Sequence, residues 1–462
     1  MLRHSALIAF LLAVANFSLV CASLRADDAK PLSRIGFGSC LRQDKPQPIW
    51  TPLLATKPEL FLFLGDNIYA DTRDIAVMRE KYKQQAEKEG FMALKKLCPL
   101  MGTWDDHDYG EDDAGASYPL KKEAQQAFLD FFGVPNDSPR RQQEGIYEAK
   151  VFGPAGKRVQ VILLDMRYFR SDLKLGSRRG TYLPLNDPKA TFLGEKQWQW
   201  LEEQLRVPAE VRLIGSSVQF VAEDHPYEKW ANIPHERQRL LKLLASTKAN
   251  GVVILSGDRH LAELSLLQEG TPYPLYDLTS SGLNQGNKRF RKIEPNKHRV
   301  AIQDVGDNFG LVRIDWTKDD PILSLEIHDV DGDVTIRQKV PLSRLQAKGD
   351  ATTAASGEDL DLAAEARKHL DKPWTVEFKV ANVGANKSKS MYYLNSSKDF
   401  RDEKNFPVVL NVKTLGADLK KLGDPQKVYL NKKIKVTGKV TLFNDRPQIL
   451  IEKLEQIQIS DE

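Results

Sequence analysis

Three apolar segments of this chain end in acidic motifs, and this arrangement limits the folds that it can adopt. Residues 60–64 are a run of Leu and Phe followed by Gly-Asp-Asn-Ile-Tyr at 65–69. Residues 252–256 lead into Gly-Asp-Arg-His at 257–260, and a third segment ends in Asp-Asp-His-Asp at 105–108. Short apolar runs of this kind predict strands buried on both faces. Because open α/β sheets place their ligands beyond the carboxyl ends of the strands, the three motifs are expected at one edge.

The residue types in these motifs favour a metal site. Several carboxylates at one edge repel each other unless a cation neutralises them. Oxygen ligands mixed with imidazole suit hard or borderline cations. A strand-end Asp also serves as the cap of a following helix in many proteins. Three such junctions in one chain favour the metal interpretation over three separate caps.

The three motifs resemble the metal-site motifs of the metallophosphoesterase superfamily, and most closely those of its PhoD-like (alkaline phosphatase D) family. Four further segments support the resemblance: Phe-Gly-Ser-Cys at 37–40, Leu-Asp-Met-Arg at 164–167, Gln-Trp at 197–198 and Asn-Phe-Gly at 308–310. The likeness covers about residues 33–340. It implies an α/β fold with a metallophosphoesterase-type β-sandwich flanked by α-helices.

The resemblance also implies a set of metal ligands. These are Cys40, Asp66, Tyr69, Asp106, Asp258 and His260. Asp66 would bridge two cations about 4 Å apart. In the family the pair is iron and calcium, so Fe(3+) and Ca(2+) are expected, although other divalent cations also suit oxygen ligands. Spacing alone does not decide between Asp105 and Asp106, because adjacent residues of an extended chain point in opposite directions.

Two further residues are candidates for catalysis. By resemblance His107 would contact the phosphoryl group and act as general acid, with its neighbour Asp108 orienting the ring. Arg167 follows a predicted strand and would bind phosphate through two parallel hydrogen bonds, or else form a structural ion pair.

Several positions depart from the superfamily pattern or allow two interpretations. Ser217 and Gln219 stand where many superfamily members have a ligand histidine. His225 is expected in a surface loop, and the acidic residues 111–113 in a solvated loop unless they bind calcium. Cys40 would pair with Cys98 in an oxidising compartment, but the Gly-Ser-Cys turn favours a free thiolate.

The ends of the chain carry separate signals. Residues 1–26 have basic, apolar and small-residue parts in the order of a cleaved signal peptide, which predicts a secreted or periplasmic protein. No other segment is apolar enough to predict a transmembrane helix. We expect a catalytic domain at 30–345, a linker at 346–360 and a small all-β domain at 361–462.

The C-terminal domain shows five or six short alternating segments and resembles a small OB-fold-like barrel. The net charge of +4 comes from an excess of basic residues in this domain. Tyr392, Tyr393 and Phe400 would stack on bases if this domain bound nucleic acid, but aromatic residues in strands more commonly fill a core.

The sequence as a whole predicts an exported phosphatase that hydrolyses phosphate esters with metal-activated water. One alternative is a phosphodiesterase acting on nucleic acid or phospholipid head groups. A second alternative is a non-catalytic binding protein that keeps the metals for stability.

Overall fold

The computed structural model describes residues 30–288, 294–347, 362–386, 388–443 and 446–459. The chain divides into two compact units, Met1–Lys348 and Gly349–Glu462. The predicted signal peptide and most of the predicted linker lie outside the described residues. Within the described ranges, the helices are too short or too polar to span a bilayer.

The first unit is a mixed α/β fold, as predicted. Its strands are β1 (Arg34–Gly38), β2 (Leu60–Leu64), β3 (Leu100–Thr103), β4 (Glu148–Phe152), β5 (Val159–Leu163), β6 (Lys174–Leu175), β7 (Tyr182–Leu183), β8 (Val211–Ser216), β9 (Val252–Ser256), β10 (Ala262–Leu267), β11 (Leu275–Ser280), β12 (Arg299–Gln303), β13 (Asn308–Asp315), β14 (Ile322–Asp329) and β15 (Val334–Pro341). Its helices are α1 (Trp50–Ala55), α2 (Ile75–Ala86), α3 (Glu89–Leu97), α4 (Asp106–Tyr109), α5 (Lys121–Phe131), α6 (Gly194–Arg206) and α7 (Pro234–Ser246).

Two large sheets build this unit. One has six strands in the order β15-β14-β13-β1-β2-β3, and the other has seven in the order β12-β10-β11-β9-β8-β5-β4. Leu62 and Leu64 of the first sheet share a hydrophobic core with Leu163 and Ile254 of the second. Strands β1 to β3 are parallel, and so are β5, β8, β9 and β11. Their carboxyl ends therefore meet at one edge of each sheet.

Two glycines allow the strand ends to approach closely. A Cβ atom on Gly65 would lie 2.5 Å from the Cβ atom of Asp105, and Gly65 has a φ of +103°. A Cβ atom on Gly257 would lie 2.5 Å from the Oγ atom of Ser39. Both distances are shorter than any ordinary contact between side chains. The loops after β1, β2, β3 and β9 thus converge because glycine stands at these two positions.

The helices partly match their predicted ranges. The sequence pattern of 194–206 predicts one helix, and α6 spans Gly194–Arg206. The charged amphipathic pattern of residues 73–97 predicts a single helix, and this prediction is wrong, because α2 and α3 are separate helices. Between them Lys88 is extended, with φ −66° and ψ 128°, and it precedes the first residue of α3.

The second unit has its own core and a curled sheet. Its strands are β16 (Pro373–Lys379), β17 (Asn382–Ala385), β18 (Met391–Asn395), β19 (Pro407–Asn411), β20 (Lys433–Phe443), β21 (Arg446–Ile451) and β22 (Ile457–Ile459), and its helices are α8 (Leu362–Arg367), α9 (Val412–Leu422) and α10 (Pro425–Tyr429). The sheet curls into a half-barrel in the order β16-β20-β21-β19-β18-β17, and β22 also pairs with β20. Only Val380 and Ala381 separate β16 from β17, so the two ends of this strand order are consecutive in the chain.

Candidate metal centre

Asp66 lies at the centre of the predicted ligands. Its Oδ2 atom accepts hydrogen bonds from the Cys40 thiol at 3.3 Å and from the Tyr69 hydroxyl at 3.2 Å. The Tyr69 hydroxyl is also 3.1 Å from Nε2 of His260. Ligand atoms of Cys40, Asp66 and His260 all lie within 4.8 Å of one another. Four of the six predicted metal ligands therefore form one contiguous cluster.

A second group of ligand atoms shares Asp66 with the first. Atoms of Asp66, Asp106 and His107 lie within 4.8 Å of one another. Asp106 is the first residue of α4, and Asp105 precedes it in an extended conformation. Both side chains reach Nη2 of Arg167, but it is the Asp106 carboxylate that lies in one ligand group with Asp66. A carboxylate shared by two ligand groups is the arrangement that a bridging ligand needs.

Asp258 belongs to the same electrostatic environment but not to either of these groups. Burial raises the pKa of its carboxyl group well above the usual range, and the charge of Asp105 raises it further. The charge of Asp258 in turn helps to raise the pKa of the Cys40 thiol, after burial, to about 11. Asp258 thus lies close enough to interact with both sides of the cluster.

The backbone is left-handed at several of these ligands. The φ angles are 61° at Cys40, 51° at Asp66, 69° at Asp258 and 55° at His260. A left-handed residue other than glycine costs about 1–2 kcal/mol. Such conformations concentrate at functional sites, where the surrounding structure holds them in place. Four of them in one cluster therefore support a functional centre at this sheet edge.

The cluster contains more negative charge than its protein surroundings neutralise. Burial raises the pKa of Asp66 well above its usual range, and burial raises that of Asp105 to about 7. Among the described residues, Oδ1 of Asp66 and Oδ2 of Asp105 are buried without a hydrogen-bond partner. Cations would satisfy these oxygens and relieve the repulsion between the carboxylates. The residues present therefore fit a metal centre.

His107 lies at the accessible side of the cluster. Its Nδ1 atom is 2.6 Å from Oδ1 of Asp71, and its ring packs on that of Tyr69 with centroids 4.2 Å apart. Burial would lower the pKa of His107, but the charges of Asp66, Asp106 and Asp71 outweigh it and raise the pKa to about 11. The ring is therefore protonated at neutral pH in the surroundings that the protein provides.

The expectation that Asp108 orients His107 is wrong. Both carboxylate oxygens of Asp108 accept hydrogen bonds from backbone amides, those of Asp66 at 3.1 Å, Asn67 at 3.2 Å and Asp105 at 2.8 Å. Asp108 thus fixes the loop that carries Asp66. Asp71 orients the His107 ring instead. It lies five residues after Asp66, and no sequence pattern there indicated a contact with His107.

Arg167 is buried and engaged by carboxylates, with a side chain only 1% exposed. Its Nε atom donates to Oδ1 of Asp105 at 2.5 Å, and its Nη2 atom lies 2.6 Å from Glu228. Ser217 also donates to Asp105, at 2.9 Å. Glu228 was not anticipated from the sequence, because it lies in a loop without a motif. Of the two roles considered for Arg167, the structure places it in the ion-pair arrangement.

The acidic segment 111–113 adjoins the cluster. Carboxylate oxygens of Asp106, Asp112 and Asp113 lie within 4.8 Å of one another, and the Asp113 amide donates to Asp106 at 2.7 Å. Asp71, Asp112 and Asp113 line a cavity of about 710 Å³, together with residues of the β6–β7 hairpin that include Arg178. The segment therefore packs beside the centre, and part of it is exposed to solvent.

Three smaller expectations also have outcomes. Cys40 and Cys98 are both buried free thiols, as the Gly-Ser-Cys turn favours. Gln219, which stands where many superfamily members have a ligand histidine, donates a hydrogen bond to Thr279 at 2.8 Å. His225 is not in the surface position expected of it, since it is only 4% exposed. The loop after β8 folds inward and buries it.

Comparison with known proteins identifies the family. Residues 37–319 match the model of the PhoD-like phosphatases, which covers more than half of the chain. The chain belongs to the PhoD-like phosphatase family. The motifs after β1, β2, β3 and β9, which form the cluster, all lie within the matched range. The PhoD-like assignment made from these motifs is thereby confirmed.

Two relatives show how far the likeness extends. Alkaline phosphatase D of Bacillus subtilis (strain 168) is 24% identical over an alignment of 341 residues, and the match covers 61% of this PhoD-like chain and 57% of that protein. A solved structure of PhoD superposes with a TM-score of 0.53 at 20% identity, covering 69% of this chain and 73% of that one. At this identity the superposition shows the fold alone. The chain thus spans little more than half the length of its curated relative.

Proposed function

We propose that this PhoD-like protein is a metal-dependent phosphatase that hydrolyses phosphate esters. Family membership supports the reaction class. The observation that carries the metal dependence is the position of Asp66, which belongs to both the Cys40–His260 group and the Asp106–His107 group. A two-cation centre needs such a shared carboxylate.

The donor types suggest which cations the centre holds. Cys40, Tyr69 and His260 offer thiolate, phenolate and imidazole ligands, a set that suits ferric iron. Asp106 and Asp258 offer carboxylate oxygens, which suit calcium. Bound cations would supply Lewis acidity toward the phosphoryl group and lower the pKa of the attacking water. If iron is bound as proposed, the purified protein should show visible absorption that Tyr69→Phe removes, and an unchanged spectrum would refute the phenolate ligand.

The protein side chains supply the proton for the leaving group. The water oxygen forms the new bond to phosphorus, the ester P–O bond breaks, and the departing alcohol oxygen takes a proton from His107. Asp71 holds the His107 ring in place through its contact with Nδ1, so Nε2 is the atom that remains to donate. Arg167 fits best as a positioning residue that fixes Asp105 through its buried ion pair.

Hydrolysis by the purified full-length protein tests this function. A chromogenic phosphate monoester and the matching diester are compared, before and after treatment with a chelator. We expect turnover that the chelator abolishes and that added cations restore. Metal-loaded protein that hydrolyses neither ester would contradict the proposal and favour the non-catalytic alternative.

A histidine outside the site provides a matched control for His107. His298 is 17% exposed and pairs with Glu223 at 3.0 Å, whereas His107 is 20% exposed and pairs with Asp71 at 2.6 Å. His107→Gln should lower kcat by about 10²- to 10⁴-fold, the range typical for loss of a general acid. His298→Gln should leave kcat near the wild-type value. Equal effects of the two variants would exclude the proposed role of His107.

The phosphodiesterase alternative has one observation in its favour. The cavity of about 710 Å³ beside Asp71 is larger than a phosphoryl group needs, and the exposed Arg178 lines it. A diester would place its second organic group in this space. A higher kcat/KM for the diester than for the monoester would therefore decide for this alternative.

Export and the role of the C-terminal unit remain predictions. The proposed signal peptide lies outside the described residues. The strand order of the C-terminal sheet supports an OB-type barrel, with β16 and β17 as two halves of its first strand. Tyr392 packs against the core of this unit, whereas Phe400 is 55% exposed. Phe400 is thus the better candidate of the two for stacking on a base.

A further inference from the structure

The candidate centre has a buried interior and a more accessible mouth. Cys40, Asp66 and Tyr69 are buried, whereas the side chain of His107 is 20% exposed and that of Asp71 is 43% exposed. A substrate must therefore approach from the side of His107. A phosphate ester arriving there needs cationic donors that solvent and substrate can reach.

Three arginines near the cluster are already paired with carboxylates. Arg167 and Arg170 have side chains that are 1% and 3% exposed, and both pair with Glu228. Arg179 is exposed but pairs with Asp112 at 3.2 Å. Arg178 is exposed and lines the cavity beside Asp71. Arg42, by contrast, is an accessible arginine that packs directly on Tyr69 of the cluster.

Arg42 lies against the same ring as His107. Its Cζ atom is 5.3 Å from the centroid of the Tyr69 ring, and the His107 ring lies 4.2 Å from that centroid. The Tyr69 hydroxyl in turn donates to Asp66 at 3.2 Å. One aromatic side chain therefore links Arg42 both to the proposed general acid and to the centre of the cluster.

The guanidinium of Arg42 is fixed along one edge and available along the other. Its Nε and Nη2 atoms donate to the two oxygens of Asp44, at 3.0 and 2.9 Å. Among the described residues, Nη1 has no hydrogen-bond partner, and the side chain is 33% exposed. A guanidinium has five donors in a rigid fork, so the edge formed by Nη1 and Nη2 can still bind two oxygens of one phosphoryl group.

The backbone around Arg42 is held as firmly as its side chain. The Arg42 amide donates to Oδ1 of Asn284 at 2.7 Å, and Nδ2 of Asn284 returns a hydrogen bond to the Arg42 carbonyl at 2.8 Å. The adjacent Gln43 accepts from the Tyr69 amide at 2.9 Å. Binding a substrate would therefore cost little ordering of this segment.

We propose that Arg42 is a substrate-binding residue whose free guanidinium edge donates to the non-bridging phosphoryl oxygens of the ester, with Asp44 as the positioning residue that aims it. The inference rests on the proposed function, because it assumes a phosphoryl group at the Asp66 cluster. It assigns to Arg42 the phosphate contact that the sequence suggested for Arg167.

Steady-state kinetics of three arginine variants test the assignment. Arg42→Ala should lower kcat/KM for a phosphate monoester by about 10- to 100-fold, the usual effect of losing a charge-assisted hydrogen bond. Arg42→Lys keeps the charge without the fork and should recover part of the loss. Arg158→Ala is the control, because Arg158 binds Glu210 in the same two-point manner at 3.2 and 2.7 Å and precedes β5 at its opposite end. It should retain the wild-type kcat/KM.

Binding of inorganic phosphate separates this inference from the proposed function. Calorimetric titration of the metal-loaded full-length proteins should show about tenfold weaker binding for Arg42→Ala than for wild type. Asp44→Asn should raise KM with little change in kcat, and all variants should keep the wild-type metal content. If wild type binds phosphate without hydrolysing esters and Arg42→Ala loses that binding, the proposed function fails and the role of Arg42 stands. Wild-type kcat/KM and phosphate affinity in Arg42→Ala would overturn the role of Arg42 alone.

Discussion

At the scale of single residues, charge is the dominant feature of the site. Burial raises the pKa of Asp105, Asp108 and Asp113 to about 7 in each case. The ordinary value for an aspartate is about 3.9. Without cations, these carboxyl groups therefore bind protons at pH values where an ordinary aspartate is ionised. This coupling makes the metal-free protein sensitive to pH.

Stability of the metal-free protein should fall as the pH rises. A carboxyl group whose pKa is raised by folding stabilises the fold fully below its unfolded pKa, and this contribution is lost as the pH passes through the folded value. For Asp105, Asp108 and Asp113 that window runs from about pH 4 to about pH 7. Thermal melting of chelator-treated protein should show a lower Tm at the upper end of the window, and metal-loaded protein a smaller decrease. A metal-free Tm that rises across the window would contradict the charge distribution described.

The ligand residues were predictable individually, but their contacts were not. Each motif indicated its own Asp or His ligand. Because the strand ends of parallel sheets converge, the motifs were also expected to lie together. Which of Asp105 and Asp106 faces the centre depends on where α4 begins, and no spacing rule gives that residue. Asp71 was missed because its partner, His107, is distant in the chain. Arg42 was missed because its contact with nearby Asp44 resembles an ordinary surface ion pair. Left-handed backbone at Asp66 was equally invisible, since aspartate has no strong preference for it.

At the scale of elements, the loop after β2 depends on its close packing with the loop after β3. Gly65 provides the space for this contact, with Asp105 against the position of its missing Cβ atom. Strands and helices with regular patterns, such as β5 and α6, were predicted because apolar periodicity determines them locally. The break at Lys88 between α2 and α3 was missed because the charged sequence there remains compatible with a helix.

Gly65→Ala should reduce both stability and activity. The new Cβ atom would meet Asp105 at 2.5 Å, and the backbone φ of +103° is unfavourable for alanine. Gly133→Ala is the matched control, because Gly133 has a φ of +68° and nothing lies within 4 Å of the added atom. The control should lose only the backbone term, about 1 kcal/mol. Chemical denaturation and hydrolysis assays should therefore show a larger loss for Gly65→Ala, and equal losses would contradict the packing argument.

At the scale of the whole molecule, two units with separate cores form one chain. Leu62 and Ile254 belong to the core of the first unit, and Val436 and Ile449 to that of the second. The short alternating segments of the second unit predicted a sheet there, because alternating residues are typical of a half-buried sheet. The division of its first strand into β16 and β17 was not predicted.

Removal of residues 349–462 should leave hydrolysis of a small chromogenic ester within about twofold of the full-length rate, because domains with their own cores generally fold independently. The cluster around Asp66 lies entirely within the first unit. The comparison requires equal concentrations of folded, metal-loaded protein, checked by circular dichroism and metal content. A folded truncated protein with its metals but without activity would show that the second unit contributes to the catalytic site.

A catalytic metal centre at this sheet edge requires Asp66 as its shared ligand. Elemental analysis and ester hydrolysis measured on the same preparations of wild type and Asp66→Asn test it most directly. Asp277→Asn is the control, because Asp277 is a buried carboxylate, 1% exposed, that accepts hydrogen bonds from Ser256, Phe220 and Val221 and belongs to neither ligand group. We predict bound metal and turnover in wild type and in the control, and the loss of both in Asp66→Asn. An Asp66→Asn protein that keeps the wild-type metal content and rate would contradict the role of Asp66 as shared metal ligand.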